Sequence, residues 1–423
     1  MSHCLPIVQG SLKKPEPVMV LTMKGLHTGT LLSYPSISPP TSEIWCELTS
    51  MLPDGTPVKL ETTGVLPSPL NTTTVYNVYT IYWDGEGLYN IKLKLSGVDV
   101  VLTTAGSGDI ILRDQTSWVQ SFLPTFSGGT YDYYVNWGDG SAEAHVTTYN
   151  GAGSIHTYTD ETPRTVTIRG TITGWNYNSV GTQDQRDCLL SIECWGPWKP
   201  GNLGGWFGGC RNMVVNATDK PDLTGVTNFG YIFQGCKEIT SVPNMNLWDM
   251  SNATVMTSAF QGCTNFNQDL SGWNTANVTM FNNMFIDAKV FNGNIGGWNV
   301  AKGTDFSDMF WGASAFNSNI SGWNVGLATA MYYMFSDAIA FNQDLSSWNI
   351  VNVTSMGHMF SGAVSYTKTN YDLLLVGWGA KAVKSGVLFD MNSTTKYTAA
   401  SAAATARAHL ISAHTWTITD GGT

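Results

Sequence analysis

Trp248, Trp273, Trp298, Trp323 and Trp348 stand 25 residues apart. A period of that length, held over five copies, means that no unit buries its own apolar face and that equivalent units stack on one another. The same interval links Phe260, Phe285, Phe310, Phe335 and Phe360, then Phe266, Phe291, Phe316 and Phe341, with Tyr366 closing that series. Leu270, Ile295, Ile320 and Leu345 repeat in the same register. Looser copies come earlier, because Phe207-Gly208-Gly209-Cys210, Phe233-Gln234-Gly235-Cys236 and Phe260-Gln261-Gly262-Cys263 align with Phe310-Trp311-Gly312-Ala313. The array is therefore expected to begin near residue 185.

Within a unit, Phe281, Met284, Phe285 and Ala288 fall at i, i+3, i+4 and i+7, the spacing of one helical face. Phe291 to Val300 is glycine-rich and reads as a turn and a short strand. One helical turn plus one strand per unit predicts a leucine-rich-repeat-like coil, its tryptophans stacked in a column at about the 4.7–5 Å spacing of neighbouring strands. Asn267, Asn292, Asn317 and Asn342, with Asn274, Asn299, Asn324 and Asn349, are expected to pair backbone groups that buried turns leave open. Cys210, Cys236 and Cys263 share the slot of Ala288, Ala313, Ala338 and Ala363 and read as small core residues.

The segment Met334-Phe335 through Asp344-Leu345-Ser346-Ser347-Trp348-Asn349 resembles the BspA-type leucine-rich repeats of microbial and viral surface proteins, over roughly residues 185 to 366. Asn370 to Trp378 and Lys396 to Gly422 resemble the cap that follows such arrays in phage-encoded proteins. Trp137-Gly138-Asp139-Gly140, His156-Thr157-Tyr158 and Thr165-Val166-Thr167-Ile168 follow one another as in polycystic-kidney-disease-type (PKD) sandwiches. Thr62 to Leu70 followed by Val75-Tyr76-Asn77-Val78 resembles a small β module of phage tail and fibre proteins. These resemblances imply an adhesin or virion component.

The expected architecture is multidomain: an all-β N-terminal region, made of a tail-protein-like β module and a PKD-like β-sandwich, then a leucine-rich-repeat-like solenoid and a small α/β C-terminal cap. Its boundaries are residues 1–45 for an extended docking arm, 46–116 for the β module, 117–175 for the sandwich, 185–366 for the repeats and 367–423 for the cap. The arm, with Pro15, Pro17, Pro35, Pro39 and Pro40, is expected to order against other virion proteins.

Composition narrows the function. Lys and Arg number 21 against 31 Asp and Glu, a net charge of −10, so a nucleic-acid partner is not expected. No apolar run approaches the length of a membrane span, and Met1 to Pro6 lacks the pattern of a signal peptide, so neither membrane insertion nor ordinary secretion is expected. A virion surface, reached by cell lysis, accommodates both readings.

His3, His27, His145, His156, His358, His409 and His414 are scattered, and no nucleophile elbow, zinc helix or phosphate loop is present. Asp139 reads as turn chemistry, not as a calcium ligand. No catalytic, metal or cofactor residue is therefore assigned, and the protein is expected not to be an enzyme. The repeat positions that vary are Asn282-Asn283, Ser307-Asp308, Tyr332-Tyr333 and Gly357-His358, with Gln261, Ile286, Trp311, Ser336 and Ser361, and they are expected to face outward. Trp311, Tyr332, Tyr333 and His358 are the candidate ligand-binding residues, for a host cell-surface glycan or protein. The expected function is a non-enzymatic structural or adhesion protein of a phage virion, and symmetric virion sites point to a homo-oligomer. The alternatives are a cellular surface adhesin and a polysaccharide-degrading virion enzyme, since paired carboxylates have no local signature.

Overall fold

The computed structural model describes residues 18–24, 26–36, 43–48, 57–62, 70, 76–83, 88–95, 98–99, 110–158, 160 and 162–423. Residues 1–17 and 37–42 of the expected arm lie outside the described residues, as do the 63–69 and 105–108 parts of the β module. Two compact units emerge. One spans Lys24–Ser121 with Thr157–Thr162, and the other takes Phe122–His156 and Pro163–Thr423 together with the strand Val18–Met23.

The smaller unit is a seven-stranded sheet in the order 43–48, 26–36, 110–119, 57–62, 76–83, 88–95 and 98–99. All its pairs are antiparallel, and a further pairing of Glu43–Leu48 with Leu88–Leu95 closes the sheet on itself. Closure satisfies edges that would otherwise present unpaired backbone groups.

The larger unit begins with Val18–Met23 (β1), where alternate residues Met19, Leu21 and Met23 are fully buried. Thr125–Asn136 (β2), Ala144–Val146 (β3), Arg164–Trp175 (β4), Leu189–Cys194 (β5) and Val214–Val215 (β6) complete a six-stranded sheet in the order β3-β2-β4-β1-β5-β6. A short helix, Gln183–Asp187 (α1), precedes β5. The pairs are antiparallel except β5 with β6, which is parallel.

This sheet corrects the expected architecture. Residues assigned to a free docking arm form a strand between β4 and β5, with Met19 opposite Ile168 and Leu21 opposite Val166 and Ile192. Three strands of the PKD-like region, β2, β3 and β4, thus belong to a mixed sheet that continues into the start of the repeats. The physical reason is patterning: Val18 to Met23 alternates apolar side chains onto one face, which a solvated arm would leave in water.

The leucine-rich-repeat-like solenoid is corrected as well. Between residues 251 and 366 there is neither helix nor named strand. Each unit is a run of turns, joined to the next at single parallel bridges: Val255 with Met280, Met280 with Asp305, Asp305 with Ala330, and Ala330 with Ser355. The helical turn predicted at Phe281 to Ala288 does not form because Asn283 (φ 62°) and Asp287 (φ 52°) are left-handed. Two such residues within one turn interrupt right-handed helical dihedrals. The same two positions are left-handed at Asp308 and Gly312, at Tyr333 and Asp337, and at His358 and Gly362. The result is a sheet-rich molecule with few helices.

Left-handed residues turn the backbone so that alternate N–H groups all point the same way. Phe281, Asn283, Phe285 and Asp287 donate to the carbonyls of Asp305, Ser307, Met309 and Trp311 at 2.8–3.0 Å. Phe306, Asp308, Phe310 and Gly312 donate onward to Ala330, Tyr332, Met334 and Ser336, and Met331, Tyr333, Phe335 and Asp337 to Ser355, Gly357, Met359 and Ser361. Around this one-way ladder the tryptophans do form a buried column, each ring parallel to the next within 4°. Their centroids lie 6.1, 6.4 and 6.4 Å apart, wider than a strand spacing. Laterally slipped stacking, which aromatic quadrupoles favour, accounts for the excess.

The final layer is closed by Lys368–Gly379 (α2), Leu388–Asp390 (β7), Ala402–His414 (α3) and Thr417–Thr419 (β8), with β7 and β8 parallel. Met356 bridges to Phe389, and Trp378 of α2 donates its indole N–H to the Leu345 carbonyl at 3.0 Å. That bond continues those of Trp298 to Leu270, Trp323 to Ile295 and Trp348 to Ile320.

Candidate functional site

The four candidate residues meet on one surface. Tyr333 and His358 are one unit apart, and their rings stack at 4.7 Å with 17° between planes. Trp311 stacks on Tyr333 from the other side at 5.5 Å. Tyr332 stands edge-on to both Tyr333, at 4.2 Å, and His358, at 5.9 Å. Trp311 and Tyr332 are 41% and 39% exposed, whereas Tyr333 is intermediate because its two faces are covered by its neighbours. Trp311 and Tyr332 therefore offer the accessible apolar surface.

The backbone sets this arrangement. Tyr333 (φ 51°) and His358 (φ 58°) occupy the left-handed position that Ser258, Asn283 and Asp308 occupy in earlier units. Asn and Asp suit that region, while bulky aromatic residues are strained there by roughly 1–2 kcal/mol each. Tyr231 (φ 59°) shares this position outside the cluster, so the strained aromatic is a recurrent feature of the repeat.

Carboxylates surround the rings. Asp337 accepts from the Trp311 indole N–H at 3.3 Å, and Asp390 accepts the backbone N–H of His358 at 2.9 Å while lying 3.7 Å from its Nδ1. The Asp308 backbone is bonded to both neighbours, the Trp311 backbone N–H donating to the Asp308 carbonyl and the Asp308 N–H to the Tyr332 carbonyl, and the Asp308 charge acts on the Tyr332 phenol. Its half-buried carboxyl is pushed above the ordinary carboxylate range by desolvation and then by the nearby Asp305. The Asp308 side chain has no hydrogen bond or ion pair among the described residues. The Tyr332 phenol is raised by its hydrogen bond with Tyr333, then by slight desolvation and the charges of Tyr333, Asp308 and Asp390.

The outward expectation fails at three positions. Ile286, Ser336 and Gly357 are buried, the first two at 8% and 3% exposure, whereas Trp311, at the same repeat position as Ile286 and Ser336, is exposed. Asp337 and Asp390 were not among the candidate residues. Asp337 could be found from its place in the period beside Asp287, but Asp390 lies beyond the repeats and has no periodic signal.

Periodic polar residues divide into two kinds. Asn267, Asn292, Asn317 and Asn342 accept the backbone N–H of the equivalent residue one unit on, at 2.8–2.9 Å. Asn274, Asn299, Asn324 and Asn349 instead accept the N–H two residues ahead, closing local turns. The Cys236 and Cys263 thiols are buried, donate to the carbonyls of Phe207 and Phe233, and are raised in pKa by burial. Asp139 accepts from the Ser141 N–H and from His156 Nε2 at 2.7 Å. No group of three or more His, Cys, Asp or Glu among the described residues is arranged to hold a metal ion. No helix among them is long and apolar enough to cross a membrane.

Residues 201–311 and 295–386 match a family described as "Mycoplasma protein of unknown function, DUF285". That family is BspA-like, which is loosely consistent with the BspA-type part of the resemblance, and it lends no support to the phage and PKD-type parts. No curated protein and no solved structure matches the chain.

Proposed function

We propose that the protein is a non-enzymatic adhesion and structural component, displayed on a phage particle, that presents its stacked repeats for binding to a host surface. The observation that carries the reading is the convergence of Trp311, Tyr332, Tyr333 and His358, from three successive units, into one exposed aromatic cluster. A charge-poor acidic chain has little long-range attraction to offer, so exposed aromatic surface is the feature best suited to recognition. The stack beneath holds the cluster in place, because the units that begin at Phe229, Met256, Phe281, Phe306 and Met331 are each bonded to the next through four backbone N–H groups.

The test is binding of the purified full chain to host cells, wild type against a Trp311→Ala/Tyr332→Ala/Tyr333→Ala variant. The variant is expected to keep the wild-type circular dichroism spectrum and to lose at least tenfold in cell binding. A folded variant that binds undiminished would remove this surface from the function.

A further inference from the structure

The charge around the cluster is one-signed. Asp337 and Asp390 touch the rings and the Asp308 charge acts on Tyr332, and among the described residues no Lys or Arg pairs with any of the three. Asp337 and Asp390 have donors, the Trp311 indole and the His358 backbone. Asp308 has none, although it is half withdrawn from water and has Asp305 nearby. A carboxylate left in that state costs free energy that a hydrogen-bonding cation would recover. The exposed aromatic surface of the cluster, Trp311 and Tyr332, with the Asp308 charge acting on the Tyr332 phenol, attracts a cation through the negative potential of its rings.

Resting on the surface-binding reading above, we infer that this cluster recognises a glycan carrying a free amine. The sugar's C–H face lies on Trp311 and Tyr332, and its ammonium group is taken by Asp308. Anionic glycans, such as sialylated or phosphorylated ones, would bring like charge against three carboxylates and are selected against. An N-acetylated sugar keeps the apolar face but presents no cation to Asp308.

The experiment is calorimetric titration of the full chain with a glucosamine oligomer and with its fully N-acetylated counterpart, repeated on Asp308→Asn. Asn stands at the equivalent left-handed position in the preceding unit, as Asn283, so this variant is built to fold. The free-amine oligomer is expected to bind at least tenfold more tightly than the acetylated one, and Asp308→Asn to abolish the difference. Equal binding of the two oligomers, undiminished amine preference in Asp308→Asn, or no binding of either would overturn the inference. If the oligomers fail while the triple alanine variant still loses cell binding, the surface is retained and only the ligand class falls. If that variant binds cells normally, both readings fall.

Discussion

Asp390 accepts the backbone N–H of His358 on its carboxylate, at 2.9 Å, and the N–H of Phe360 on its main-chain carbonyl, at 3.2 Å. One residue of β7 thereby takes the place of a missing next unit. Because this ladder runs one way, its last layer ends in donors and its first in acceptors, the reverse of a helix, whose first turn has the open N–H groups and whose last has the open carbonyls. At the opposite end the carbonyls of Trp206 and Gly209 are met by the Tyr177 N–H and the Gln183 side-chain amide. A carboxylate acceptor thus meets open donors at one end, and N–H donors meet open carbonyls at the other.

Asp390→Ala should therefore destabilise the protein by about 1 kcal/mol, the low end of the cost of leaving a donor unmatched, because the His358 N–H is only part-buried. Asp390→Asn keeps an acceptor oxygen and should lose less than half as much. Urea unfolding monitored by tryptophan fluorescence measures both, and equal losses would argue against the capping role.

Asn283 tests the left-handed position away from the aromatic cluster. At its φ of 62°, Asn283→Ala is strained and should cost about 1 kcal/mol, whereas Asn283→Gly should lie within about 0.5 kcal/mol of wild type. Thermal melts that rank alanine above glycine would show that the dihedral does not govern this site.

Trp323 is both stacked and bonded, with its indole N–H on the Ile295 carbonyl at 3.2 Å. Trp323→Phe retains an aromatic ring but not the donor, and should cost about 1–3 kcal/mol. Trp323→Ala also opens a cavity and should cost about 3–5 kcal/mol. Denaturant midpoints of the two variants check the order.

Asp222, bonded first to Lys199 and then to Thr224, has its pKa lowered to about 2. Its contribution is present above the unfolded carboxylate value of about 3.9 and is lost as pH falls towards 2. Both partners are substantially exposed, so the effect is on the order of a few tenths of a kcal/mol. In stability measurements between pH 5 and 2, Asp222→Asn should lose less than wild type over the same window. An identical acid slope would contradict this.

The amino-acid sequence by itself determined which residues are equivalent, because a 25-residue period in Trp, Phe and Asn admits one register of stacking. The same period places Trp311, Tyr332, Tyr333 and His358 on neighbouring units. The backbone path of each unit was decided only in the tertiary structure. Phe281, Met284, Phe285 and Ala288 match a helical face, yet left-handed dihedrals at Asn283 and Asp287 cancel the helix. These conformations cost little at Asn or Asp and are held by bonds to the next layer, so a single unit contains no sign of them. Val18–Met23 joins the central sheet through partners about 150 residues away, and Trp378 and Asp390 complete ladders from outside the period. Periodicity specifies repetition, whereas the ends of a repeat are closed by whichever distant groups can satisfy its unpaired donors and acceptors.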